Sequence, residues 1–148
     1  MIEGVNTMVM EKLWNLSFAY MVIALLSGVF YREYTRGIGY TEATNLSLLH
    51  THLLVLGMVV FLVVLALEAI FHLSQRKFFK GFLLTYNIGL VWSAVMMAVR
   101  GWLQVRGGDL SKAVDASVSG IAGIGHILLG VGMILFFLNL KEAISAQA

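Results

Sequence analysis

The chain has no cysteine, no proline and few charged residues. Without cysteine it cannot form a disulfide, a thiolate-held iron–sulfur cluster, a thiolate zinc site or a covalently attached c-type haem. Without proline, its helices are expected to run without breaks or kinks. Charged residues make up 12% of the 148 residues and hydrophobic residues 59%, whereas soluble domains are about a quarter charged. The composition therefore excludes a solvated globular surface and predicts an integral membrane protein.

Four apolar stretches are almost free of charged residues, and each is long enough to cross a bilayer, which takes about 20 residues. They predict membrane spans at about residues 13–31, 43–68, 81–99 and 116–140. The connections between them are short and polar, so no linker separates domains. The predicted fold is all-α, with one domain over residues 1–148 in which four transmembrane helices form a bundle.

The orientation in the membrane follows weakly from charge. An even number of spans places both termini on one side, here named side A, and the loops after the first and third spans on side B. Each side carries five lysines and arginines, so the positive-inside rule does not decide between them. The cluster Arg76, Lys77 and Lys80 lies on side A in a loop without acidic residues. We therefore expect cytoplasmic termini.

Three histidines lie inside the predicted spans, where ionisable groups are costly and usually mark a functional site. His50 and His52 follow Glu42 by 8 and 10 residues, and His126 follows Asp115 by 11. At a rise of 1.5 Å per residue, all three lie roughly 12–16 Å below side B. Imidazoles at matched depth on different helices are what ligation of a haem iron by two histidines requires. A single membrane histidine, by contrast, is as often a hydrogen-bonded structural residue.

Small residues surround His126 on the fourth span. At helical spacing, its face also carries Ser119, Ala122, Gly123 and Gly130. Faces of this kind commonly pack against a neighbouring membrane helix. They also leave room for a flat porphyrin ring, and the imidazole in the middle of the face favours the ring.

The two histidines of the second span point in different directions, because residues two apart on a helix differ by about 160°. His50 and His52 therefore cannot ligate one iron from one face. His50 shares its face with Gly57 and Phe61, which suggests the bundle interior. His52 shares its face with aliphatic residues, which suggests lipid or an intersubunit surface. Glu68, near the end of this span, is interpreted as an interfacial acid that pairs with Arg76, Lys77 or Lys80.

The segment from Leu49 to Met58, LHTHLLVLGM, resembles the HxHLxLLG helices of membrane proteins related to haem–copper oxidase subunit I. These relatives include the haem- and copper-containing membrane proteins of the nitric-oxide response. The segment from Gly125 to Met133 is similar to their other histidine-bearing helices. As a whole, the chain looks most similar to a family of small four-helix bacterial membrane proteins of unknown function.

This resemblance implies a non-covalent haem b held by histidines, in a protein of the bacterial cytoplasmic membrane. His50, His52 and His126 are the candidate iron ligands, with Gly123 and Gly130 beside the ring. The large oxidases are built as three arcs of four helices, so a four-helix protomer would reproduce that layout as a homotrimer. The haem would then lie within a protomer or between two of them. Copper is less favoured, because the chain lacks the further histidines of the oxidase copper site.

A haem at this depth would need partners for its propionates, because bare carboxylates are strongly disfavoured in hydrocarbon. Arg32 and Arg100 directly follow the first and third spans on side B. The guanidinium group stays charged and binds a carboxylate through two parallel hydrogen bonds. We therefore predict that these two arginines contact the propionates.

The leading interpretation is a cytochrome b-like membrane protein that binds haem iron for electron transfer or for haem or gas sensing. One alternative is a membrane protein that binds or transports Cu(I) or Zn(II) through the same histidines and the methionines. Another is a non-catalytic subunit of a larger membrane complex, whose histidines only hydrogen-bond between helices. No enzymatic reaction or redox partner is predicted. The cations are scattered singly along the chain, which argues against a nucleic-acid partner.

Overall fold

The computed structural model describes the backbone of residues 2–107 and 112–147 and the side chains of residues 7–107 and 116–147. The described residues form four long helices: α1 (Ile2–Gly37), α2 (Leu46–Phe71), α3 (Phe79–Val105) and α4 (Lys112–Ser145). A 3₁₀ turn, Leu73–Gln75, joins α2 to α3. Each helix contains a stretch long and apolar enough to cross a bilayer. The predicted all-α fold with four long apolar helices is therefore confirmed, and it is compatible with a multi-pass membrane bundle.

The helices pack as two antiparallel hairpins, α1 with α2 and α3 with α4. The hairpins meet where the first part of α2 lies against the end of α3, and where Tyr20 of α1 donates a hydrogen bond of 2.8 Å to Asn87 Oδ1 of α3. α2 also contacts α4 through its last part, Val60–Phe71. Large apolar side chains remain exposed on the outside of all four helices, as expected for surfaces that face lipid.

Close approach between the helices depends on glycines that face a neighbour. A Cβ atom on Gly57 of α2 would lie 2.6 Å from Tyr20 Cγ, and one on Gly89 of α3 would lie 2.7 Å from the backbone nitrogen of Leu129. Helices in a bilayer associate through van der Waals packing and hydrogen bonds, since lipid tails are as apolar as the side chains. Small residues at these positions therefore determine which helix faces form the bundle.

Aromatic rings fill the centre of the bundle. Phe61 stacks on Tyr20 at 5.7 Å between ring centroids and meets the edge of Tyr86 at 5.9 Å. Phe82 continues the cluster to Phe136 of α4, at 5.1 Å. The rings come from all four helices, so they connect the two hairpins below the level of the histidines.

The second helix is continuous, as the absence of proline predicts, but it is not a regular α-helix. Its middle part, Leu53–Val59, is π-helical. Two carbonyl groups of this part accept hydrogen bonds from neighbouring helices: Met58 from the Ser17 hydroxyl at 3.0 Å and Leu56 from the Tyr86 hydroxyl at 2.9 Å. π-helical turns are rare in proteins, and those that do occur are often found at functional sites. This one begins directly after His52.

The interpretation of Glu68 as the ion-pair partner of a nearby cation is wrong. Its buried carboxylate accepts two hydrogen bonds from Ser74, one from the backbone N–H at 2.7 Å and one from the hydroxyl at 2.6 Å. His72 adopts a left-handed backbone conformation, with φ of 52°, and this turn brings Ser74 back over the end of α2. The carboxylate therefore closes the turn between α2 and α3, and no ion pair joins it to a described cation.

Candidate functional site

Contacts between α2 and α3 define the depth of the α2 histidines. Near side B, Leu46 packs on Gly101, where an added Cβ would lie 2.7 Å from Leu46 Cγ. Nearer the centre, the Leu56 carbonyl accepts the hydrogen bond from Tyr86. His50 and His52 lie between these two contacts.

His126 of α4 also lies between the levels of these two contacts. Gly125 directly precedes it and contacts Ser93 of α3, which lies between Tyr86 and Gly101 along that helix. The indole of Trp92 also donates a hydrogen bond of 2.9 Å to the carbonyl of Ile121 on α4. All three histidines therefore lie between the two contacts of α2 with α3, an interval that corresponds to a rise of about 22 Å along α3.

His50 faces α1. Its Cβ and Cγ lie 3.5 Å from the position that a Cβ atom would occupy on Gly28, and its side chain is half-buried. Its Nδ1 atom is buried and has no hydrogen-bond partner among the described residues. A buried polar atom without a hydrogen bond is energetically unfavourable. The imidazole of His50 therefore needs a hydrogen-bond partner that the described residues do not supply.

His52 and His126 are held by the same local geometry. The Nδ1 atom of His52 lies 3.2 Å from the carbonyl oxygen of Leu48, and that of His126 lies 3.3 Å from the carbonyl oxygen of Ala122. In the neutral tautomer that makes this bond, Nδ1–H donates to the carbonyl and Nε2 carries the free lone pair. Histidine ligands of metals are held in this way, because a bond at one nitrogen orients the other.

The glycines of α4 divide into two sets on different faces. Gly125 and Gly132 face α3, where added Cβ atoms would lie 3.0 Å from Ser93 N and 2.8 Å from Tyr86 Cβ. Gly123 and Gly130 flank the exposed His126, and added Cβ atoms there would meet nothing within 4 Å. The packing of α4 on α3 explains Gly125 and Gly132. It does not explain Gly123 and Gly130, which lie beside the exposed His126 and contact no described residue.

The two arginines predicted to bind propionates lie nearer to side B than the histidines do. Arg100 is on the side of His126 and Arg32 is on the side of His50. Arg100 donates a hydrogen bond of 3.0 Å from Nη1 to Ser119 Oγ, which lies on the His126 face two helical turns nearer to side B. Arg32 lies one turn beyond Gly28, the residue that His50 contacts, and its side chain is largely exposed. Its Nε lies 3.8 Å from Glu33 Oε1, an exposed ion pair of the weak kind.

One chain does not bring the three imidazoles together. His50 faces α1, whereas His126 faces away from the bundle, and α2 reaches α4 through Val60–Phe71, beyond the histidine level. Within the described residues, no group of three histidine, cysteine or acidic side chains could hold a metal ion. In the described part of the chain, the histidines of α2 and α4 therefore face different surroundings.

Sequence reasoning missed two features of this region. The carbonyls of Leu48 and Ala122 could have been found, since every helical histidine has a carbonyl four residues earlier. Gly28 could not have been found, because it belongs to the His50 surroundings only through the packing of α1 on α2. No signal in either helix alone indicates that pairing.

A family model described as a protein of unknown function, DUF2871, matches residues 10–143. The matched range contains all three membrane histidines and both arginines. No curated protein matches the chain, and no solved structure does. The match supports the predicted similarity to a small family of unknown function, and the resemblance to haem–copper oxidase helices stays a hypothesis.

Proposed function

The chain belongs to the DUF2871 family, whose function is unknown, and we propose that it is a membrane protein that binds haem b through histidine ligands. The observation that carries this proposal is the shared geometry of His52 and His126. Each imidazole has its Nδ1 at a backbone carbonyl of its own helix, and neither Nε2 makes a hydrogen bond within the described residues. Two such groups at one level of the membrane are suited to an iron centre.

The residues present fit a haem by the chemistry of their donors. Neutral imidazoles are among the axial ligands of haem iron, and the free lone pairs on Nε2 are the donors required. The unpartnered Nδ1 of the half-buried His50 shows that a third imidazole at this level is also unsatisfied. When bound, the group supplies one-electron exchange at its iron or, if one axial position stays open, a site for a small gas.

We place the haem at a contact between protomers of a homo-oligomer. His126 is exposed on α4, and added Cβ atoms on Gly123 and Gly130 of its face would meet no described residue within 4 Å. In the most apolar stretch of α4, 17% of the residues are buried, against 28% for α2 and for α3, so α4 has the most surface left for a neighbour. Homo-oligomers usually have closed point-group symmetry, and among the possible symmetries the three four-helix arcs of the resembled oxidases favour a trimer.

Arg100 and Arg32 are proposed as the propionate partners. Arg100 is held on the His126 face by Ser119, and Arg32 lies one turn from the Gly28 contact of His50. Both are on the side B half of the bundle, where a carboxylate can reach the membrane surface. Arginine binds carboxylates through two hydrogen bonds and keeps its charge at all relevant pH values.

We further propose that the protein lies in the bacterial cytoplasmic membrane with its termini in the cytoplasm. The cationic residues Arg76, Lys77 and Lys80 between α2 and α3 support this orientation, because short cytoplasmic loops are enriched in lysine and arginine.

The test is the absorption spectrum of detergent-purified protein after incubation with haemin, oxidised and then reduced. A Soret band and a sharp reduced α-band are expected, with non-covalent haem extracted by acidic organic solvent. His126→Ala is expected to lose the haem while remaining membrane-inserted. The matched control is His72→Asn, at a histidine outside the site, where asparagine tolerates the left-handed backbone.

A colourless protein in both redox states, or full haem occupancy in His126→Ala, contradicts the proposal. Stoichiometric copper or zinc in a colourless protein would instead favour the metal-binding alternative. Addition of carbon monoxide to the reduced protein distinguishes electron transfer from gas sensing. An unchanged spectrum indicates two histidine ligands and electron transfer. A shifted Soret band indicates an open axial position and gas sensing.

A further inference from the structure

A groove runs along the outside of the bundle, between α1 and α3 at its side A end and along α3 alone at its inner end, which reaches Trp92 near the level of His126. Three adjoining cavities of about 340, 480 and 450 Å³ share lining residues and form it. We name it the α1–α3 groove and define it by residues along its length: Lys12, Lys80, Leu83, Asn87, Ile88 and Val91. It opens toward side A and extends toward the middle of the membrane.

The mouth of the groove is positively charged. Lys12 of α1 and Lys80 of α3 both line its first two cavities, and both side chains are exposed. Neither lysine forms an ion pair with a described residue, and none of the described residues lining the groove is acidic. Two neighbouring cations at the edge of a membrane therefore have no counter-charge from the described chain.

The start of α3 adds to this positive potential. The helix begins at Phe79, has no side-chain hydrogen bond at its N-cap residue Phe78, and has no acidic residue in its first turn. A helix N-terminus carries a partial positive charge, so Lys80 within the first turn is an unfavourable neighbour for it. An anion between the two lysines would offset both effects.

The rest of the groove is mainly apolar. Beyond the lysines it is lined by Leu16, Leu83 and Leu84, and then by Ile88 and Val91. The amide of Asn87, which also lines it, is already hydrogen-bonded to Tyr20 and to the Leu83 carbonyl. From Lys80 to Val91 the helix rises roughly 16 Å, which is about half of the 30 Å hydrocarbon core. This length corresponds to the depth of one leaflet and thus to one acyl chain.

We propose that the α1–α3 groove binds an anionic phospholipid of the side A leaflet. The phosphate lies between the ammonium groups of Lys12 and Lys80, and one acyl chain follows the apolar part of the groove. Basic pockets between membrane helices bind anionic headgroups by this chemistry. The site does not depend on haem, so it can be tested whether or not the protein binds that group.

The first test compares phosphatidylglycerol and phosphatidylcholine with identical acyl chains by native mass spectrometry of the full chain in detergent. Tighter binding of phosphatidylglycerol is expected, and Lys12→Gln/Lys80→Gln is expected to weaken it by about tenfold or more. Lys77→Gln/Lys141→Gln removes the same charge outside the groove and should stay within about twofold of the wild type. Equal affinity for the two lipids, or an equal loss in both double variants, overturns the proposal.

A second measurement needs no substitution at the lysines. Trp92 lines the inner end of the groove, and Trp14→Phe/Trp102→Phe leaves it as the sole tryptophan. Phosphatidylglycerol with brominated acyl chains should quench its fluorescence more strongly than brominated phosphatidylcholine. Equal quenching contradicts a specific site. Glycerol 3-phosphate at the same concentration should not reverse the quenching, and reversal would show that the groove holds a free phosphate and not a lipid.

Discussion

Ser93 of α3 lies so close to Gly125 of α4 that a Cβ atom on the glycine would be 3.0 Å from the serine backbone nitrogen. This contact determines where the adjacent histidine points. Successive residues on a helix differ in direction by about 100°, so His126 is turned away from α3 and lies exposed. The packing of α3 on α4 therefore presents the imidazole to whatever lies outside the chain.

Stability should distinguish the two glycine faces of α4. Gly125→Ala is expected to lower the free energy of unfolding by about 1–3 kcal/mol, because the methyl group overpacks the contact with Ser93. Gly130→Ala is the control, since its methyl group meets nothing within 4 Å. Thermal unfolding in detergent, followed by circular dichroism without added haem, measures both. Equal stability of the two variants would show that α3 and α4 do not pack through Gly125.

The assembly should depend on the open face of α4. The wild type is expected to be a trimer in mild detergent by native mass spectrometry. Gly123→Leu should convert it to monomers with unchanged helical content, because the leucine fits the free chain but fills the proposed contact. Leu26→Phe on the exposed face of α1 should leave the assembly intact. A haem-loaded wild-type monomer would contradict the arrangement.

The propionate assignment predicts a change in redox behaviour. Arg100→Leu and Arg32→Leu are each expected to weaken haem retention or lower the reduction potential, because a nearby guanidinium favours the less positive, reduced iron. Arg106→Leu is the matched control, since its guanidinium lies 5.2 Å from the ring centroid of Trp102. Haem-to-protein ratios and a redox titration provide the measurements. Wild-type occupancy, spectrum and potential in Arg32→Leu/Arg100→Leu would remove both residues from the site.

The turn after α2 should depend on Glu68. Glu68→Ala leaves the backbone N–H and hydroxyl of Ser74 without their acceptor and is expected to cost about 1–3 kcal/mol for each donor left unsatisfied. Glu33→Ala, at an exposed acid, should change the stability little. Chemical unfolding in detergent gives the comparison. Equal losses in the two variants would mean that Ser74 finds another acceptor at no cost.

Much of the architecture could be predicted because a bilayer imposes lengths. A span needs about 20 apolar residues, so four such stretches with short connections leave few alternatives to four helices. The fixed rise of a helix, counted from the loops, also predicts a similar depth for His50, His52 and His126. The coupling of Glu68 to Ser74 did not follow, because it depends on the left-handed turn at His72. The hydrogen bonds that the π-helical part of α2 accepts from Ser17 and Tyr86 did not follow either, because they depend on the packing of α1 and α3 against α2.

The composition and the apolar stretches by themselves determined four long apolar helices compatible with a membrane bundle, and they predict a similar depth for three histidines. They could not determine which faces meet. On α4, Gly123 and Gly130 are seven residues apart, and so are Gly125 and Gly132, so the two pairs are equivalent as sequence patterns. Only the contacts with Ser93 and Tyr86 assign the second pair to the bundle, whereas Cβ atoms on the first pair would meet no described residue within 4 Å. The reason is physical: periodicity defines the faces of one helix, whereas the partner of each face depends on the shape of the others.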